Sequence, residues 1–179
     1  MTDRAGFSLI ELLIGIAIFG IVVTLATMSW SSAKNADLTA VTRQLHSDLQ
    51  AIRADAMTRS TSTDSRGFGI RFTSPNAYEL FEFNDTNASF TWDNVGEEAG
   101  VVKKTFPSSI TVTKSASDAV AGDIRIYDRH GLMHTGNWSS AVGVTYVLRG
   151  SGTTQARCIS VDEIRIREGI WDGGSCNVQ

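Results

Sequence analysis

The sequence predicts an α+β fold, with one long N-terminal helix packed on a mostly antiparallel β-sheet or small sandwich. Three observations predict it. Residues 7–28 form an apolar run that carries a single charge, Glu11. Apolar residues then recur at Leu38, Val41, Leu45, Leu49, Ile52 and Ala56 in steps of three and four, the period of a helix with one buried stripe. After Gly67 the period changes to two, with Gly, Asn, Ser and Asp between short apolar segments, which reads as strands and turns.

The first element justifies a membrane span. As a helix, residues 7–28 would be about 33 Å long, close to the thickness of a bilayer's hydrocarbon core. They are apolar all round, so the helix is expected to cross the membrane and not to lie on its surface. A secretory signal fits poorly: the head MTDRAG has no net charge and the run is too long. Glu11 is the anomaly. A carboxylate at the centre of such a helix costs roughly 2.5–3.5 kcal/mol on insertion scales, and an ionisable group in a span usually marks function. Ser8-Leu9-Ile10-Glu11 fits a capping box, and a carboxylate near the N-terminus meets the positive end of the helix dipole. Capping and function are compatible, and capping does not account for a small polar head that ends in glycine.

The second element is amphipathic. Arg43, Asp48, Arg53, Asp55 and Arg59 lie off its stripe, and no proline interrupts residues 8–60. One helix about 80 Å long is therefore expected, ending in the polar run 60–67. Strands are expected at 67–72, 78–83, 89–92, 110–113, 123–127, 142–148, 157–161 and 163–167. The segments 123–126 and 163–166 echo each other, each placing isoleucines on one face and arginine on the other.

Gly6-Phe7-Ser8-Leu9-Ile10-Glu11 resembles the G-F-[ST]-L-[IV]-E signature of type IV prepilins and type II secretion pseudopilins, followed by the apolar helix that family requires. The resemblance implies a type IV pilin-like fold, cleavage between Gly6 and Phe7 by a prepilin peptidase, and N-methylation of Phe7. It divides the chain into a leader (1–6), a transmembrane and filament-core helix (7–28), the amphipathic half of the helix (29–62) and a β-rich head (63–179). It places the protein in the bacterial inner membrane as a single-pass chain with a periplasmic head, which then enters a filament. There Glu11 would meet the amine of Phe7, its own or a neighbour's, and set axial register.

A second, more scattered pattern resembles the GspH/FimT group of minor pilins and H-type pseudopilins. Its residues are Arg53-Ala54-Asp55-Ala56, Gly69-Ile70-Arg71-Phe72, and the I-x-x-x-D-x-x-G segment from Ile124 to Gly131. This resemblance implies a low-abundance structural subunit near the tip that helps prime assembly, with other minor pilins or pseudopilins and the major subunit as partners. Some FimT-type proteins bind DNA through a C-terminal G-R-x-R motif. The nearest match is Arg165-Ile166-Arg167, with Ile164 in place of the glycine and Glu163 and Glu168 flanking it. On a strand both arginines would share one exposed face, and Arg157 and Arg149 would assist.

Cys158 and Cys176 enclose a short C-terminal segment. Outside the cytoplasm a disulfide persists, and this one would contribute about 3 kcal/mol and pin the tail to the sheet; two buried thiols are the alternative. Charge is uneven in the head. Residues 72–102 hold six acids and no base, whereas 125–167 hold six arginines against Asp128, Asp162 and Glu163. That pattern would suit head-to-tail contacts between subunits or a basic strip for DNA.

The overall balance, 16 basic against 19 acidic residues, argues against a surface devoted to nucleic acid. His130 and His134 have no glutamate between them and Gly131 breaks a helical reading, so no metal set is expected. Sequons at Asn84, Asn87 and Asn137 carry little weight in a bacterial chain. There is no nucleophile elbow, P-loop or dinucleotide fingerprint. The chain is read as non-catalytic, without a cofactor, and as a substrate of the peptidase.

Overall fold

The structure, a computed structural model, describes residues 9–59, 65–89, 91–115, 118–139 and 143–178. Among the described residues one α-helix, α1 (Leu9–Arg59), is followed by a single 3-10 turn (Val95–Glu97) and ten strands: β1 (Ser65–Ser74), β2 (Ala77–Asn84), β3 (Glu98–Thr105), β4 (Ile110–Lys114), β5 (Ile124–Tyr127), β6 (Met133–Thr135), β7 (Val144–Gly150), β8 (Ala156–Val161), β9 (Ile166–Trp171) and β10 (Cys176–Val178). They form two five-stranded sheets, ordered β3-β2-β1-β5-β6 and β10-β9-β8-β7-β4. Every strand pairing is antiparallel. The expected α+β arrangement is what the chain adopts.

α1 has 51 residues, about 76 Å at 1.5 Å per residue. All six stripe residues, Leu38 through Ala56, are buried. They share one core with Phe68, Ile70, Phe72 and Tyr127 of the first sheet and with Tyr146, Leu148, Ile159 and Val161 of the second. The helix is therefore the wedge that both sheets close upon, through the inward residues of each strand. Polar contacts fix its rotation. Tyr78 donates to Asp48 at 2.5 Å and Arg53 Nε donates to the Gly131 carbonyl at 3.0 Å. The sheets meet at their margins, where Val112 N–H donates to Pro75 O at 2.7 Å and Met133 N–H to Glu163 O at 3.2 Å.

Two expected strands require correction. Residues 89–92 form no strand among the described residues. The hydroxyls of Ser89 and Thr91 turn back onto Asp93, and such local hydrogen bonds compete with a ladder. The segment 163–167 is mostly a turn, because Asp162 N–H donates to Arg165 O at 2.7 Å; the strand begins only at Ile166. The echo between 123–126 and 163–166 fails for the same reason: Ile164 is 52% exposed while Ile166 is buried. Strands β3, β6 and β10 had no expected counterpart. The proposed end of the helix, at residues 60–62, lies outside the described residues.

Candidate functional site

From Leu9 to Thr24 the side chains of α1 are exposed. Eleven large apolar side chains from Leu9 to Val23 are exposed, Leu9 at 77% and Phe19 at 70%. An apolar surface of this extent needs a bilayer or other helices to cover it. Glu11 sits in its first turn. At Gly15 and Gly20 an added Cβ would meet nothing within 4 Å, so any close approach these glycines permit is to another molecule. Gly6 and Phe7 lie outside the described residues. No helix of the described residues is long and apolar enough to cross a membrane; the described exposed stretch stops at Thr24, before residues 25–31.

Three of the four arginines proposed for DNA have side-chain partners within the head. Arg157 is held by Glu168 at 2.8 Å and Arg167 by Asp162 at 2.7 Å. Arg149 donates to Thr113 across β4 and β7 at 3.0 Å. Arg165 is exposed, but it sits in the turn before β9 and not on the strand with Arg167. Two of the four are thus already neutralised by carboxylates.

The acidic run is likewise consumed internally. Arg71 bridges Glu79 and Glu98, and Lys103 adds a second cation at Glu79. Burial pushes the Glu98 carboxyl above its ordinary range, against the pull of Arg71 and the Trp92 N–H. Asp85 and Glu97 are buried, leaving Asp93 exposed and Glu82 half-buried. The head-to-tail charge pattern expected from sequence is therefore weakened at the surface, because Glu79 and Glu98 are paired within the sheet and Asp85 and Glu97 are buried. A further buried network, invisible to spacing, joins the two sheets: Asp123 accepts from Tyr146 at 2.7 Å and from Arg125 at 3.0 and 3.2 Å.

Cys158 and Cys176 form a disulfide with Cα atoms 5.8 Å apart. It reaches from β8 across β9 to β10. Gly169, paired opposite Cys158, makes that crossing feasible: a Cβ there would lie 2.4 Å from the Asn177 carbonyl and 3.1 Å from Cys176 Sγ. His134 is engaged by Asp128 at 3.1 Å and stacks on Trp138. No group of three or more His, Cys, Asp or Glu side chains among the described residues converges to hold a metal.

Residues 1–27 match the prokaryotic N-terminal methylation motif. The match covers the segment that carries Gly6, Phe7 and Glu11 and leads into the exposed apolar helix. Over that segment the chain is similar to type IV prepilin-like proteins. No curated protein and no solved structure matches the chain significantly.

Proposed function

We propose that this chain is a minor pilin or pseudopilin, a structural subunit that enters and helps prime a type IV pilus or type II secretion pseudopilus. The observation that carries this reading is the methylation motif running directly into a helix whose apolar side chains are exposed all round. Peptidase cleavage between Gly6 and Phe7 would leave the helix as the mature N-terminus. Residues 7–28 would hold the chain in the inner membrane, and the head would project into the periplasm, where the Cys158–Cys176 disulfide is stable. The chain acts by packing and has no catalytic role of its own.

The GspH/FimT likeness draws support from contacts between parts of that pattern far apart in sequence. Arg53 donates to Gly131 O at 3.0 Å. Gly131 has φ +72°, and a Cβ there would lie 2.8 Å from Met57 Sδ. Asp128 caps the same turn by accepting from His130 and Leu132 N–H. The pattern residues thus build one junction between helix and turn. DNA binding through Arg165 and Arg167 is the alternative; salt-dependent binding of duplex DNA that an Arg165→Ala, Arg167→Ala variant loses would favour it.

Mass spectrometry of the mature protein tests the main reading. The expected species begins at methylated Phe7. A population that uniformly retains MTDRAG would overturn it.

A further inference from the structure

The contacts of α1 fix the two ends of the head. Arg53 meets the turn at Gly131. Lys34, nineteen residues earlier and about 28 Å away along the helix axis, meets the loop between β7 and β8. A Cβ at Gly152 would lie 2.8 Å from Lys34 Nζ and 3.5 Å from its Cδ. The lysine stem is thus laid against this loop, and the residue is half-buried. Its ammonium nevertheless has no hydrogen-bond or ion-pair partner among the described residues.

The loop beside it supplies a second observation. Gly150–Thr153 is a tight turn, closed by Thr153 N–H donating to Gly150 O at 3.2 Å. Its third residue, Gly152, has φ +77°, which is what a type II turn needs and glycine supplies. Ser151 N–H donates to Ser109 O at 2.7 Å, which brings the exposed Pro107, Ser108 and Ser109 alongside. The N–H groups of Gly152 and Thr154 donate to nothing among the described residues, and Ser151 and Thr154 are exposed. One end of the head therefore gathers a cation, two open amides and several hydroxyls. The stretches that supply these loops hold no acid, since none occurs between Glu98 and Asp118 or between Asp128 and Asp162. Asp37 is the sole acid on α1 between Lys34 and Arg43.

We propose that this end of the head docks on the phosphate groups of anionic phospholipid while the chain is anchored. The inference rests on the proposed membrane span of residues 7–28. Lys34 then stands six residues beyond the span, about 9 Å along the helix. The headgroup layer is about 5–8 Å deep on each side of the hydrocarbon core. A lysine on a flexible stem reaches over the difference, as snorkelling lysines do. Phosphate oxygens only accept, which is what an ammonium, two open amides and exposed hydroxyls need. Backbone amides beside a positive-φ residue also make the kind of concavity that holds anions. The consequence is a head held against the bilayer, by a contact that must break when the helix is drawn into a filament.

The test follows amide exchange of the full chain by mass spectrometry in three settings: nanodiscs of phosphatidylethanolamine with phosphatidylglycerol, nanodiscs of phosphatidylcholine, and dodecylmaltoside micelles. The segment 150–156 should exchange about fivefold more slowly in the anionic discs than in either other setting, the effect of one cation at a charged bilayer surface. High salt should erase the difference, and the turn at 128–132, at the far end of the head, should not respond. Lys34→Gln breaks no bond within the head, so it should keep the melting temperature and lose the slowing. Inorganic phosphate added to the micelles should not reproduce it. Protein that enters the discs yet exchanges alike in all three settings would overturn the docking and leave the anchored reading standing; protein that fails to enter them would overturn both. Slowing that survives Lys34→Gln, or that phosphate alone produces in micelles, would also overturn the proposal.

Discussion

Asp172 organises the last turn of the chain almost alone. Its Oδ1 accepts the N–H groups of Gly174 and Ser175 at 2.9 and 2.7 Å, and its Oδ2 accepts from Ser175 Oγ and Asn177 Nδ2. The Ser175 N–H, then that of Gly174, holds its carboxyl down at about 2 against an ordinary 3.8. Because the folded value is depressed, the contribution to stability is complete above about pH 4 and is lost as pH falls towards 2. Amide exchange of β10, Cys176–Val178, should therefore accelerate over that window relative to β9. Asp172→Asn should flatten the pH response; an unaltered profile in that variant would remove Asp172 from the explanation. Nothing in the sequence announced this role, since two of its four hydrogen bonds come from backbone N–H groups. Glu11 was legible for the opposite reason: it stands in a contiguous motif and is the sole charge in an apolar run. Arg165 and Arg167 were legible as charges, and both are exposed on either side of buried Ile166; spacing alone could not reveal that Asp162 pairs with Arg167.

Elements with a strong period were the legible ones. The stripe from Leu38 to Ala56 is buried throughout, and β1, β2, β4, β5, β7 and β8 coincide with alternating segments. The strands that were missed had physical reasons to be missed. β3 is an edge strand with Val101 and Val102 exposed. Its pairing with β2 shifts register between Leu80 and Glu82, and Gly100 lies nearby at φ +61°, so no alternation survives. β6 and β10 have three residues each, too few for a pattern. β10 is held by its tether more than by its own length, and this makes Gly169 decisive. Gly169→Val should force the tail away from β9 and leave Cys158 and Cys176 unpaired in a fraction of molecules, measured by thiol labelling after denaturation. Cys158→Ser with Cys176→Ser should cost about 3 kcal/mol in denaturant unfolding. Complete disulfide formation in Gly169→Val would show that β9 tolerates a side chain under the bridge.

The whole molecule divides by what each half needs. The head satisfies its own apolar and charged groups: the core is shared by helix and sheets, and the acids of the first sheet are largely paired within it. Between Leu9 and Val23, by contrast, eleven large apolar side chains of α1 stay exposed. On the proposed reading, the bilayer and the filament would be two ways of covering the same helix, and they would differ at Glu11. In a bilayer the carboxylate would lie near the helix end and could reach the interface. In a filament core it would be enclosed by neighbouring helices, and an enclosed charge must be paired. A polar group fixed in this way specifies axial register, as a single buried polar residue does in a coiled coil. Glu11→Val should accordingly be cleaved and inserted normally yet be depleted from sheared filaments relative to membranes. Since valine also removes any capping role, Glu11→Gln separates the two functions: glutamine can serve in a capping box but cannot pair as an anion. Depletion of both variants assigns Glu11 to register through its charge. Normal incorporation of Glu11→Gln would reduce its contribution to helix capping and defeat the register argument.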